Sequence, residues 1–208
     1  MKNKLWRFGD SWSTTKDDEF RDIELNHSQY IADYFDLDYK NLGAGGFSNL
    51  EIFSKLLENN DNYKKNDIIL INFASVFRIA VVENGKISCT SNGDFNNEQP
   101  KLMQDIILND MGKPISDILF FLIAKYLKTL EERQIRIYYF FLDGHGKLDL
   151  KNQLEFRGSQ GNGFIFWCKD NGYEDLSPNG NVHYTVGSQK SIANKIIELI
   201  EQYDNQEK

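Results

Sequence analysis

The run Asp67-Ile68-Ile69-Leu70-Ile71-Asn72-Phe73 restricts the possible architectures more than any other stretch of this chain. A strand with one wet face alternates apolar and polar side chains. A strand that is apolar almost without interruption has to be covered on both faces, which is the signature of a parallel sheet between helices. Gln134 to Asp143 (QIRIYYFFLD) repeats the pattern, and Lys4 to Phe8 is a shorter version that stops at Gly9. Tyr39 to Leu42, ending at Gly43, and Gly163 to Cys168 (GFIFWC) read as further strands.

The intervening segments have apolar residues at helical spacing. Ser28 to Phe35 places Ile31, Tyr34 and Phe35 on one side. Ser48-Asn49-Leu50-Glu51 is a capping box that opens a helix running to about Asn59, with Ile52, Phe53, Leu56 and Leu57 on one face. Ile115 to Arg133 is apolar nearly all round, which predicts a well-buried helix. Ser188 to Tyr203 closes the chain, with Ile192, Ile196, Ile197 and Ile200 facing inward. Alternating strands and helices predict an α/β fold: a flavodoxin-like three-layer α/β/α sandwich with a mostly parallel, roughly five-stranded sheet. With no repeat and no low-complexity linker, residues 1–208 read as a single domain with an insertion at about 79–112. The first half of that insertion, IAVVENGKISC, predicts a hairpin around Asn84-Gly85. Gly144 to Asn162 reads as a polar loop.

Composition removes several function classes. Lys and Arg total 24 against 31 Asp and Glu, a net charge of -7. That balance argues against binding a nucleic-acid backbone or an anionic membrane surface, both of which need clustered cations. The longest apolar run, Ile118 to Ala124, is far below the roughly 20 residues a bilayer requires, and no signal-peptide core follows Met1 to Lys4. A cytoplasmic location is expected. Cys89 and Cys168 are too few for a disulfide framework and read as small buried hydrophobes. HExxH, HxH and CxxC spacings are absent, so neither a metal nor another cofactor is expected.

In an open α/β sheet the ligand crevice lies at the carboxyl ends of the strands, and four segments fall there. Phe8-Gly9-Asp10-Ser11-Trp12-Ser13 follows the first strand, and Gly9 permits the sharp departure that an exposed serine needs. Ser11 or Ser13 capping a helix near Thr14 is the alternative. Asn41-Leu42-Gly43-Ala44-Gly45-Gly46-Phe47-Ser48 follows the second strand. It fails as a dinucleotide fingerprint because Ser48 stands where the third glycine belongs. After the third strand, Asn72 and Ser75 are candidate oxyanion donors, and Arg78 either grips a substrate carboxylate or extends its stem outward. His183, in the loop before the last helix, is suited to take a proton from serine. His145, in Asp143-Gly144-His145-Gly146, is a second candidate lining the crevice, and His27, beside a helix start, reads as a capping or surface residue.

These blocks, in this order, resemble the SGNH (GDSL-like) hydrolases. Gly9-Asp10-Ser11-Trp12-Ser13 is similar to that family's G-D-S-x-S, and Asn41-x-Gly43-x-x-Gly46 to its N-x-G-x-x-G. Asn72-Phe73-Ala74-Ser75 stands where the family has G-x-N-D, and His183 where it has the histidine of D-x-x-H. The resemblance implies the SGNH hydrolase fold and a serine esterase. Ser11 is then the nucleophile, His183 the base, and Asp10 part of the catalytic block. The amides of Ser11 and Gly46 form two arms of the oxyanion hole, with Asn72 or Ser75 as the third. The acid departs from the family pattern: Gly180 stands three residues before His183 and Asn181 two before, so Asn181 or the more distant Asp175 is left to orient the imidazole.

The expected substrate is a small-molecule or glycan ester, with removal of O-acetyl groups from a carbohydrate as the specific expectation. Aromatic side chains, Trp12 and Tyr184 among them, suit a sugar face; Arg78 and His145 complete the substrate-contacting set. Two readings from other classes compete: a non-catalytic glycan-binding module on the same fold, favoured by Gly180, and a flavodoxin-like domain holding a phosphate or nucleotide at the glycine loop. The sequence assigns no oligomeric state.

Overall fold

The computed structural model describes residues 2–10, 26–44, 47–74, 79–83, 86–90, 112–143, 148–159, 161–176, 182–184 and 186–206. For residues 79–83, 86–90, 112–115, 174–176, 182–184 and 186 the description is of the backbone.

Four strands form the central sheet: β1 (Lys4–Phe8), β2 (Asp38–Asn41), β3 (Ile68–Phe73) and, after the hairpin β4 (Ile79–Glu83) and β5 (Lys86–Thr90), β6 (Arg136–Phe141). Their order is β2-β1-β3-β6 and every pairing is parallel. All six β3 residues are buried, as an uninterrupted apolar strand requires.

Side-chain alternation divides the interior into two layers. Leu5, Ile68, Leu70, Tyr138 and Phe140 meet helices α1 (His27–Tyr34) and, at the end of the chain, Gln189–Gln206, through Ile31, Ile192, Ile196 and Ile200. Trp6, Phe8, Ile69, Ile71, Phe73 and Phe141 meet α2 (Asn49–Glu58) and α3 (Gly112–Glu132), through Ile52, Leu56, Ile123 and Leu127. The result is the expected three-layer α/β/α sandwich.

Local signals place the helix starts. Asn26 caps α1 by accepting from the Gln29 amide at 3.0 Å. Ser48 caps α2 in a complete capping box: its hydroxyl accepts from the Glu51 amide at 3.3 Å, and its own amide donates to Glu51 Oε2 at 2.8 Å. Ser48→Ala is expected to destabilise the protein by about 1 kcal/mol in urea unfolding, because the Glu51 amide loses its acceptor and Glu51 Oε2 loses the hydroxyl that donates to it.

The structure departs from the sequence expectations in several places. Gly163 to Cys168 is not a strand. Residues Phe164–Asp170 form a short helix, α4, with Phe164 and Cys168 in the core and the side chains between them half-buried. The edge of β6 that a fifth strand needs is already engaged. Tyr139 donates its amide to the Asn152 carbonyl at 3.2 Å and accepts from the Leu154 amide at 2.7 Å. Gly144 to Asn162 is therefore not a purely polar loop, since Leu148, Leu154 and Phe156 are buried and β7 (Arg157–Gly158) pairs with β8 (Gly161–Asn162). Helix α3 is not covered all round, because Ile118, Phe121 and Leu122 face outward, and Leu57 of α2 is likewise exposed.

The hairpin expected after Ile79 is present, with Glu83 opposite Lys86; its turn, Asn84-Gly85, lies outside the described residues. Cys168 is buried as expected, whereas the Cys89 side chain lies outside the description. Among the described residues no helix is long and apolar enough to cross a membrane.

Candidate functional site

The strand order predicts where a ligand crevice belongs. From β1 the chain moves to β2 on one side; from β2 it crosses to β3 on the other side of β1. That reversal makes the carboxyl ends of β1 and β3 the topological switch point, where loops diverge and leave room for a ligand.

Three sequence blocks converge there. Asp10, two residues after the end of β1 and fully buried, accepts from Asn72 Nδ2 at 2.9 Å. Asn72 is fully buried on β3, and Gly9 lies against it: a Cβ built on Gly9 would sit 1.8 Å from Asn72 Oδ1. Glycine at position 9 is thus required by close approach to β3 as well as by its backbone turn. From the second block, the Ala44 amide donates to the Gly9 carbonyl at 3.2 Å and the Leu42 amide to the Arg7 carbonyl at 2.8 Å. Asn41 Oδ1 accepts from the Gly43 amide at 3.0 Å, which bends the start of the glycine loop. Asn49, the first residue of α2, donates to the Ala74 carbonyl at 3.1 Å and so links the helix that follows the glycine loop to the end of β3.

A charged group supports this junction from the α1 side. Arg7 is fully buried on β1. Its guanidinium donates to the carbonyls of Phe8 at 2.8 Å and Leu70 at 3.2 Å, and to Ser28 Oγ at 3.1 Å, while lying over the Phe140 ring. It therefore ties β1, β3 and α1 together just below the switch point. The sequence reading gave Arg7 no role; the available signal was a charge inside the apolar strand Leu5-Trp6-Arg7-Phe8.

His27 corrects an expectation outright. It is neither a surface residue nor the α1 cap, since Asn26 takes the cap and His27 is fully buried. Gln189, at the start of α5 (Gln189–Gln206), accepts from the His27 amide at 2.8 Å and lies 3.2 Å from His27 Nδ1. Burial first, then the positive charge of Arg7, push the His27 imidazole down to about 3, against an opposing pull from Gln189. Between that value and the ordinary 6.5, the unfolded chain binds a proton that the folded protein refuses, so stability falls as pH drops through this window. On going from pH 7 to pH 5, the protein is expected to lose about 2 kcal/mol more unfolding free energy than His27→Gln, read from urea titrations at both pH values.

His183 lies in a strand rather than a loop. Glu174–Leu176 (β9) and Val182–Tyr184 (β10) form an antiparallel pair, and His183 stands directly opposite Asp175. Directly opposed residues of such a pair share one face of the ladder, with Cβ atoms about 5 Å apart. Tyr184 stands opposite Glu174. The side chains of Asp175, His183 and Tyr184 lie outside the description, as do Ser11, Trp12, Gly46, Ser75, Arg78, His145 and Asn181 altogether.

No protein-family model matches the sequence, and no curated protein matches it. Among solved structures, the chain is similar to a carbohydrate esterase whose active site displays divergent catalytic and non-catalytic binding functions. That match has a TM-score of 0.46 and 14% identity, over 96% of this chain and 68% of the other. It is also similar to an acetyl xylan esterase from the rumen bacterium Butyrivibrio proteoclasticus, with a TM-score of 0.47 and 10% identity over 98% of this chain. The chain spans 64% of that second protein, less than two thirds of its length.

Of the expected site residues, the structure brings Asp10 and Asn72 into direct contact and sets Asp175 in register with His183. Asn72 has two amide hydrogens, and the bond to Asp10 engages one of them. Among the described residues, no group of three or more His, Cys, Asp or Glu is placed to hold a metal ion.

Proposed function

We propose that the protein is a serine-dependent ester hydrolase of SGNH type that removes O-acetyl groups from a carbohydrate. The observation behind this reading is the junction at the switch point. Asp10, the residue before Ser11, is buried and held by Asn72 of β3, with the glycine loop bonded to Gly9 beside it. A nucleophile following such a turn starts from a rigid base, and preorganisation of this kind is what covalent catalysis requires.

In this reading Ser11 Oγ attacks the ester carbonyl carbon while His183 takes its proton. The oxyanion is held by the amides of Ser11 and Gly46, with Asn72 or Ser75 as the third donor. The C–O bond to the sugar then breaks, and His183 returns the proton to the departing hydroxyl. Water repeats the sequence on the acetyl-serine, releasing acetate and restoring Ser11. Asp175, opposite His183, supplies the carboxylate that orients the imidazole, in place of the acid missing at Gly180. Asn181 is the neutral alternative for that role. Trp12 and Tyr184 offer faces for a sugar ring, with Arg78 and His145 as further substrate contacts.

The test is turnover of p-nitrophenyl acetate and of an acetylated xylan by the purified chain, together with fluorophosphonate labelling mapped by mass spectrometry. The reading expects acetate release and a single adduct on Ser11. A folded protein that neither turns over an ester nor takes the label would overturn it and leave a glycan-binding module as the better account.

A further inference from the structure

We propose that the chain forms a two-fold dimer through an antiparallel contact between the outer faces of α3 in two copies. This inference is independent of the hydrolase reading.

The inner face of α3 is satisfied, with Phe120, Ile123, Leu127 and Leu130 packed against the sheet. Its outer face is not what a solvated helix presents. Ile118 is 61% exposed, Phe121 60% and Leu122 48%. Spacings of three and four residues put these side chains in one stripe, on the side where a surface helix normally has polar groups. Exposed apolar stripes of this kind mark contact surfaces, because water gains by their removal.

Charge identifies the occupant. Asp117 lies one turn before Phe121 and Lys125 one turn after it, both exposed, and Lys125 Nζ sits 5.4 Å from the centre of the Phe121 ring. A two-fold axis through Phe121 reverses the second helix. Each Asp117 then faces Lys125 of the other copy and Phe121 meets its own equivalent, with Ile118 and Leu122 flanking that central contact. A parallel pairing sets Asp117 against Asp117 and Lys125 against Lys125, which is repulsive. The pattern is therefore self-complementary in one orientation only, as an isologous contact requires. Beside the stripe a shallow cavity of about 230 Å³, floored by Phe120, Ala124 and Leu148, offers a recess for an apolar side chain of the second copy.

The test is sedimentation equilibrium of the full chain and of charge variants across a concentration series. Wild-type protein is expected to dimerise. Asp117→Lys and Lys125→Asp, each of which creates like-charge pairs twice over, are expected to weaken dimerisation at least tenfold. The double variant Asp117→Lys/Lys125→Asp, which only exchanges the partners, is expected to return to within threefold of wild type. Phe121→Asp is expected to abolish association. Circular dichroism checks that each variant is folded. A wild-type protein that stays monomeric up to millimolar concentration overturns the proposal. Single charge reversals that leave a dimer untouched, or a double variant that is not rescued, overturn it equally.

Discussion

Alanine at position 11 is expected to lower ester turnover on the order of 10⁴- to 10⁶-fold and to remove the fluorophosphonate adduct. The size of the effect follows from the kind of step affected. A hydroxyl that forms the covalent intermediate has no substitute within the site, and whatever rate persists comes from binding and oxyanion stabilisation. His183→Ala is expected to cost nearly as much, and the Ser11→Ala/His183→Ala double variant hardly more than either alone, because nucleophile and base act in one step. If Asp175 orients the imidazole, Asp175→Asn is expected to reduce kcat on the order of 10²- to 10⁴-fold while Asn181→Ala leaves it within a few-fold. Progress curves with p-nitrophenyl acetate measure all five variants. A Ser11→Ala protein that retained a tenth of the wild-type rate would remove Ser11 from the chemistry.

Gly9→Ala is expected to destabilise the fold by about 3–5 kcal/mol, combining overpacking with a disrupted buried hydrogen bond. The added methyl carbon would lie 1.8 Å from Asn72 Oδ1, 2.4 Å from its Cγ and 2.8 Å from Nδ2. Asn72 cannot step aside freely, because it is fully buried and its amide is bonded to Asp10. Either the β1–β3 separation increases, or the Asn72 side chain turns away and Asp10 loses that donor. The same geometry predicts strong coupling. Asn72→Ala removes the atoms that clash, so the Gly9→Ala/Asn72→Ala double variant is expected to be destabilised by clearly less than the sum of the two single variants. Unfolding free energies from urea titration give the cycle directly. Additive energies would show that the close approach of Gly9 to Asn72 does not limit stability.

Elements decided by short-range forces are visible in this sequence, and elements decided by long-range packing are not. Ser48 and Glu51 are three residues apart, and their reciprocal capping was legible because the helix start is decided within one turn. β3 and β6 were legible because burial on both faces removes the polar alternation from the strand itself. The hairpin around Asn84-Gly85 was legible because its turn residues and its register lie within one short stretch. The segment from Gly163 to Cys168 was not. Apolar and aromatic throughout, it suits a buried strand, and its helical state follows from Asn152 and Leu154 having already engaged the free edge of β6.

His27 failed for a similar reason. A histidine beside a helix start is solvated unless another element covers it, and the covering residue, Gln189, is 162 positions away. The outer face of α3 is the reverse case: an all-round apolar pattern predicts cover, yet the sheet reaches only one side of the helix.

At the candidate site, the chain order and spacing of Gly9-Asp10-Ser11, the glycine loop, Asn72 and His183 are properties of the sequence itself. Periodicity, capping and turn chemistry act over a few residues and leave their record in the local order of side chains. Only the tertiary structure decided that Asn72 spends an amide hydrogen on Asp10, 62 positions away, that Gly9 has no room for a methyl group, and that Arg7 is buried between β1, β3 and α1. These outcomes depend on which strands become neighbours once the chain crosses from β2 over β1 to β3, and that choice is made by burial summed over the whole sheet.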